Sequence, residues 1–273
     1  VENVQILSSN LVQNGDFSEE GAEEVSNGSF SQEGVEQVTN GDFATDSNWL
    51  GVNSDGVTIS NGSLNYLNTP YAKQIIQTNV TTIGKTYKVT YTISNFVEGN
   101  IRLALGGNAA ALRNANGTYT DYVTASVNNH LTFVVLGSPT TLSIDNVSVR
   151  EVGQDWDTFG TIDANNTVSF ANNELTLRND GSGSGVKQNA LTIGKTYKVV
   201  VNVTDIVGNG FKVDMGNLQN ITTTGTKTFY LTATTASLLL YRNSTSPQAV
   251  NGATITNISV KEVGQNWDLQ TGW

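Results

Sequence analysis

The chain has 273 residues, a formal net charge of −10 and no cysteine, which excludes disulfide scaffolds, cysteine zinc sites and thiol catalysis. Only 14 Lys and Arg stand against 24 Asp and Glu, so the basic surface that a phosphate backbone requires is missing and no nucleic acid is expected. No run of about 18 apolar residues is present to span a bilayer, and no basic segment with an apolar stretch behind it opens the chain, so no membrane insertion is expected. The length suits about two domains, each large enough to bury a core. A start at Val1 rather than Met leaves room for a leader or upstream domain.

Residues 1–44 hold nine acids and no base, the first Lys being Lys73; the other 15 acids face all 14 bases, so the remainder is nearly neutral. Within this acidic segment a 13-residue period runs Val12-Gln-Asn14-Gly15-Asp16-Phe17, Val25-Ser-Asn27-Gly28-Ser29-Phe30 and Val38-Thr-Asn40-Gly41-Asp42-Phe43. Each copy reads as a short strand entering an Asn-Gly turn, with a Val and a Phe as small apolar anchors that one copy cannot bury alone. Residues 11–43 are therefore expected to pack as successive turns or strands on each other or on a neighbouring subunit, the alternative being a flexible acidic linker.

From residue 45 every signal is strand. Short runs at Val57–Ser60, Leu64–Leu67 and Ile75–Gln77 lead into a long alternating stretch with Tyr87, Val89, Tyr91 and Ile93 on one face. Ile101–Leu105, Thr118–Ala125, Leu131–Leu136 and Leu142–Val149 follow, and only Asn108–Asn114 has a helical flavour. About eight strands in roughly 110 residues, separated by Gly and Asn turns, predict an antiparallel two-sheet sandwich. The unit then repeats. Thr82-Ile-Gly-Lys-Thr-Tyr-Lys-Val89 returns as Thr192 to Val199, and Ile144-Asp-Asn-Val-Ser-Val-Arg-Glu-Val152 returns as Ile255-Thr-Asn-Ile-Ser-Val-Lys-Glu-Val263. Glu151-Val-Gly-Gln-Asp-Trp-Asp157 returns as Glu262-Val-Gly-Gln-Asn-Trp-Asp268, the opening of a third copy in what reads as a piece of a longer array. The expected fold class is all-β: acidic repeats over 1–44, tandem antiparallel jelly-roll β-sandwiches over 45–152 and 153–263, and the start of a third repeat over 264–273.

The succession Asn40-Gly-Asp-Phe43, Asn48-Trp49, Gly84-Lys-Thr-Tyr-Lys-Val89 and Ile144-Asp-Asn-Val-Ser-Val149 resembles galactose-binding-like jelly-roll carbohydrate-binding modules, of the variety repeated in bacteriophage tail-fibre and virion proteins. The likeness covers 38–152 more fully than 153–263, and its motifs mark a fold rather than a ligand. It implies a non-catalytic module that holds sugar and carries a structural calcium ion where first and last strands meet. The positions matching that calcium site are Asn40, Asp42 and Asp145. In the second copy Thr256 replaces Asp145 and Gln154-Asp-Trp-Asp157 stands in place of the Asn-Gly-Asp-Phe opening, so calcium is expected in domain 1 only. The alternative is that Asp42 and Asp145 merely bond turn amides.

Sugar binding calls for flat aromatics beside polar amides, since a pyranose stacks its C–H face and needs directional partners for its hydroxyls. The candidates are Tyr66, Tyr71, Tyr119 and Tyr122 in domain 1 and Tyr230 and Tyr241 in domain 2. Trp49 and Trp156 open their repeats in equivalent settings, which suits a shared core role. Tyr122 and Tyr230 fall on the outward phase, Tyr71 follows a Thr69-Pro70 turn, and the match of Tyr119 with Lys227 and of Asp121 with Phe229 gives the two copies different surfaces. His130 is the only His, no nucleophile elbow or zinc helix motif is present, and Gly181-Ser-Gly-Ser-Gly185 reads as a hairpin turn, so catalysis is not expected. Two functions remain open. One is attachment to host-surface glycans by a virion or cell-surface appendage. The other is a purely structural spacer or assembly module of a fibre, filament or adhesin. Either suits a homo-oligomer, a trimer in a fibre.

Overall fold

A computed structural model describes residues 18–162, 166–179, 183–242 and 250–264. The first 13-residue repeat, residues 181 and 182 of the Gly-Ser run, and residues 265–273 of the third opening lie outside them. Among the described residues every regular element is a strand, and the chain divides into two compact units. One holds Ser31–Gln154 with Phe170–Asn172, and the other holds the rest.

Two short strands, β1 (Glu20–Glu23) and β2 (Glu33–Glu36), come first. The first unit continues with β3 (Val57–Ser60), β4 (Ser63–Thr69), β5 (Gln74–Gln77), β6 (Thr86–Glu98), β7 (Ile101–Leu105), β8 (Asn108–Arg113), β9 (Gly117–Thr124), β10 (Leu131–Val135) and β11 (Thr140–Val152). They form two antiparallel sheets ordered β3-β4-β11-β6-β9 and β5-β10-β7-β8. The alternation read from the sequence is what closes the sandwich: Tyr87, Val89, Tyr91 and Ile93 of β6 are buried against Ile101, Leu103 and Phe133 of the facing sheet. Each such side chain contributes about 1.5–3 kcal/mol by leaving water. The stretch 108–114 is a strand rather than a helical turn, because the Ala-Ala-Ala-Leu run pairs with β7 across a bulge and the sheet edge outweighs its helix propensity.

The second unit has β12 (Asp157–Phe159), β13 (Thr167–Ala171), β14 (Glu174–Asn179), β15 (Gly185–Asn189), β16 (Thr196–Val207), β17 (Phe211–Asp214), β18 (Leu218–Ile221), β19 (Gly225–Thr232), β20 (Ser237–Arg242) and β21 (Asn251–Val263). Its sheets run β13-β14-β21-β16-β19 and β12-β15-β20-β17-β18. The same local device fixes the entry to the long strand in both units: the hydroxyl of Tyr87 accepts the Thr82 N–H at 2.8 Å, and that of Tyr197 accepts the Thr192 N–H at 2.8 Å.

The acidic repeats are divided between the units. They do not pack on each other: β2 pairs with β11 of the first unit, and β1 pairs with β21 of the second. The third repeat thus opens the first sandwich and the second repeat opens the second one. The opening that the sequence placed at Gln154–Asp157 is supplied by Asn27–Phe30 instead. The two dockings match bond for bond. Val147 N–H donates to Gly41 O at 2.8 Å and Ile258 N–H to Gly28 O at 2.9 Å. A Cβ on Gly41 would stand 2.0 Å from Val147 O and one on Gly28 2.1 Å from Ile258 O, so neither position admits a side chain. Trp49 Nε1 donates to Asn40 O and Trp156 Nε1 to Asn27 O, each at 3.1 Å, while Phe43 and Phe30 pack on those indoles at centroid distances of 5.2 and 5.6 Å. Both tryptophans are buried, as their shared core role requires.

Candidate functional site

β9 and β19 carry equivalent residues along one end of their sandwiches, and what those residues do differs. In the first unit Tyr119 of β9 lies opposite Tyr91 of β6. Arg113, at the end of β8, places its guanidinium carbon 4.5 Å from the Tyr119 ring centre and Nη2 2.6 Å from Asp121 Oδ1. Tyr91 donates its hydroxyl to Asp121 Oδ2 at 3.3 Å, and Tyr119 donates its own to Ala115 O at 2.8 Å. Burial pushes the Tyr91 hydroxyl up to about 12, against the lowering effect of its bond from Arg113. This end of the first sandwich is filled by its own side chains.

In the second unit Lys227 lies opposite Val201 and Phe229 opposite Val199, and Ile221 faces Phe211 where Arg113 faces Ile101. With no guanidinium, no second tyrosine and no carboxylate to fill the space, a cleft of about 520 Å³ remains between β18 and β19. Phe229 and Lys227 are half-buried in it, among Gln219, Asn220, Thr226 and Thr228. Lys227 is the only charged side chain lining it, and no ion pair involving Lys227 is found among the described residues. An apolar ring edged by amides and hydroxyls is a chemistry that suits a polyhydroxylated ligand. A smaller cleft of about 430 Å³ in the first unit is lined by Gln37, Thr39, Asn48, Trp49, Leu50, Gln77, Thr78 and Asn79. Its indole is 4% exposed and already holds Asn40 O, so it offers no stacking face.

The six tyrosines named from the sequence do not converge. Tyr66, named as a sugar-stacking candidate, is in the core on the inward phase of β4, its hydroxyl buried without a hydrogen-bond partner among the described residues and its pKa pushed up by burial. Tyr119 is under Arg113. Tyr241 donates to Asp214 Oδ2 at 2.8 Å beside Phe159, and burial, with the Asp214 bond second, pushes it up to about 12. Tyr71 and Tyr230 are exposed and Tyr122 is half-buried, yet none of the three lines either cleft. Phe229, Gln219 and Asn220 escaped the sequence reading as candidates, although the 108-residue offset that matches Asp121 with Phe229 pointed to the right strand.

The proposed calcium positions are engaged locally. Asn40 Oδ1 accepts the Thr45 N–H at 3.2 Å, and its Nδ2 donates to Thr45 O and Ser47 O. Asp42 Oδ1 accepts the Ala44 N–H at 3.3 Å, and Asp145 accepts both the N–H and the Nδ2 of Asn146. No group of three His, Cys, Asp or Glu side chains suited to a metal occurs among the described residues. Calcium takes six to eight oxygens, so these three side chains do not by themselves make its cage, and most ligands would have to be carbonyls or water.

No protein-family model matches the chain, and no curated protein matches it significantly. Among solved structures, the N-terminal tandem CBM22-1–CBM22-2 domain of Paenibacillus barcinonensis Xyn10C is similar over 85% of this chain and 99% of that one, at 9% identity and a TM-score of 0.36. The major capsid protein P2 of bacteriophage PM2 is similar over 82% of this chain and 99% of its own, at 13% identity and a TM-score of 0.21. Both likenesses are too weak to carry an argument about what this chain binds.

Proposed function

We propose that this protein is a non-catalytic glycan-binding module of a virion or cell-surface appendage, with the sugar held in the β18–β19 cleft of the second unit. The observation that carries the reading is the half-exposed Phe229 ring set among Gln219, Asn220 and threonine hydroxyls in a cleft of about 520 Å³. A pyranose ring lies flat on such a face while its hydroxyls take the amides. The lone Lys227 ammonium adds a preference for sugars that carry a carboxylate, since a charge-assisted hydrogen bond is roughly twice as strong as a neutral one. Catalysis has no place in this reading, since the residues that line the cleft include no His, Asp or Glu.

The test is a glycan-array screen of the whole chain in calcium and again in EDTA. Saturable binding that is lost in Phe229→Ala and kept in Tyr71→Ala supports the cleft. Calcium at Asn40, Asp42 and Asp145 remains a proposal, and isothermal titration of the EDTA-treated chain that releases no heat removes it. A second reading, a structural spacer with no sugar ligand, is favoured by the first unit, whose equivalent end is closed by Arg113, Tyr119 and Asp121. Silence across the array in both buffers selects the spacer. Light scattering separates a monomer from the homo-oligomer that a fibre or filament requires.

A further inference from the structure

The two docked segments are recognised through what they have in common. Glu23 accepts the Val260 N–H at 2.6 Å and the Ser259 hydroxyl at 2.5 Å, as Glu36 accepts the Val149 N–H at 2.8 Å and the Ser148 hydroxyl at 2.5 Å. One glutamine side chain then clamps the main chain of the next residue but two: Gln188 receives the Ser26 N–H and donates to Ser26 O, and Gln77 does the same for Thr39. Val25 and Val38 are buried, and Phe30 and Phe43 lie on the indoles. By contrast, Ala22 against Val35, Glu24 against Gln37, Ser26 against Thr39 and Ser29 against Asp42 differ between the two segments. The groove reads an acid, a Val, an Asn-Gly main chain and a Phe, beside the equivalent pairs that Glu20 and Glu33, three residues earlier, make with Lys198 and Lys88.

We propose that the groove of each unit, bounded in the second by Trp156, Gln188 and β21, is a peptide-recognition site for segments of the form acid-x-Val-x-Asn-Gly-x-Phe. We infer further that Val12–Phe17, the remaining copy of that pattern, is a ligand for a groove of this build. The sandwiches take their segments in reverse chain order, the nearest repeat serving the first and the next serving the second. In sequence, Val12–Phe17 is the repeat that comes next in that order. Residues 10–17 keep every shared element except the acid, where Asn10 stands in register with Glu23 and Glu36, and Leu7 stands in register with Glu20 and Glu33. An amide oxygen accepts the same N–H without charge and Leu7 cannot pair with Lys198 and Lys261 as Glu20 does, so the fit is kept and weakened, by at least about tenfold.

The test uses the full chain with Val12→Ser, Phe17→Ser, Val25→Ser and Phe30→Ser, which strips the anchors from both the second unit's own segment and the remaining copy. Synthetic peptides of residues 18–31 and 5–18, and a scrambled 18–31, are titrated calorimetrically, and thermal unfolding is followed by Trp fluorescence. The expected result is one-to-one binding of 18–31 that restores the unfolding midpoint, binding of 5–18 at least about tenfold weaker but detectable, and none of the scrambled peptide. If the variant does not fold its second unit, refolding it with each peptide present reads the same interaction as recovered structure. Binding of 18–31 without 5–18 overturns the assignment of Val12–Phe17. Recovery with neither peptide, or with the scrambled one, overturns the groove as a recognition site.

Discussion

Arg113 and Lys227 end up on matching parts of two related sandwiches with opposite consequences. Arg113 is 22% exposed with Asp121 13% exposed, and the pair seals the space that Tyr91 and Tyr119 begin to fill. Arg113→Ala is expected to destabilise the first unit by about 1–2 kcal/mol in urea unfolding, because Asp121 keeps only the Tyr91 hydroxyl and Tyr119 loses the cation over its ring. Lys227→Gln keeps the reach and removes the charge. It is expected to leave neutral-sugar binding within about twofold and to weaken carboxylate-bearing sugars about tenfold on the same array. Much of this was legible: the offset of 108 residues set Tyr119 against Lys227 and Asp121 against Phe229, and it foretold that the two surfaces differ. Arg113 was not, because its Ala-Ala-Leu-Arg stretch resembles a helix when the pairing with β7 is unseen.

β1 and β2 with the turns behind them are the elements on which both sandwiches close. Gly41→Ala drives a methyl against Val147 O, and its cost is expected to be about 1–3 kcal/mol, read as a lower unfolding midpoint of the first unit with the second unchanged. These strands also make the docking sensitive to pH at both ends. The hydrogen bond from Lys198 holds the Glu20 carboxyl below its ordinary 4.5, with partial burial opposing. The hydrogen bonds that Lys198 and Lys88 donate to Glu20 and Glu33 hold both ammoniums above the ordinary 10.5. The carboxylate's contribution is present above 4.5 and is lost as pH falls through its lower folded value; the ammonium contributions are present below 10.5 and are lost as pH rises through their higher folded values. Amide hydrogen exchange of Glu20–Glu24, corrected for intrinsic rates, is expected to be slowest between those limits and to quicken on either side. A flat profile would show that the Glu20 pairs contribute nothing measurable to docking. The 13-residue period told of a common structure and was silent on its partners, since a repeat in sequence suggests neighbours in space. Here the strands that β2 and β1 pair with, β11 and β21, lie more than a hundred residues away, and local pattern carries no address at that distance.

Across the whole molecule, strand class and the buried faces of β6 and β16 follow from alternation, because one face of each sheet must be apolar, and the repeat near 110 residues follows from the motifs that recur at Thr192–Val199 and Ile255–Val263. The division of the acidic segment between two units does not, and it makes the units unequal in a way their similar sequences conceal. Glu36 meets Val149 across 113 residues, whereas Glu23 meets Val260 across 237. Loop closure grows slowly in free energy with length, but folding rate falls as contacts become more distant in sequence. Refolding from denaturant is expected to show two phases, the slower one abolished as a separate docking event by Phe30→Ser and the faster one untouched. A single phase sensitive to Phe30→Ser and to Phe43→Ser alike would show that the units fold together. During synthesis the asymmetry is sharper still. The ribosome releases Glu20–Phe30 before any of its groove exists, and the first groove to emerge belongs to the other sandwich and reads the same letters. The segment lying next to that groove in the chain, Glu33–Phe43, reaches it over the shorter loop, so the order of manufacture itself assigns each segment to its sandwich.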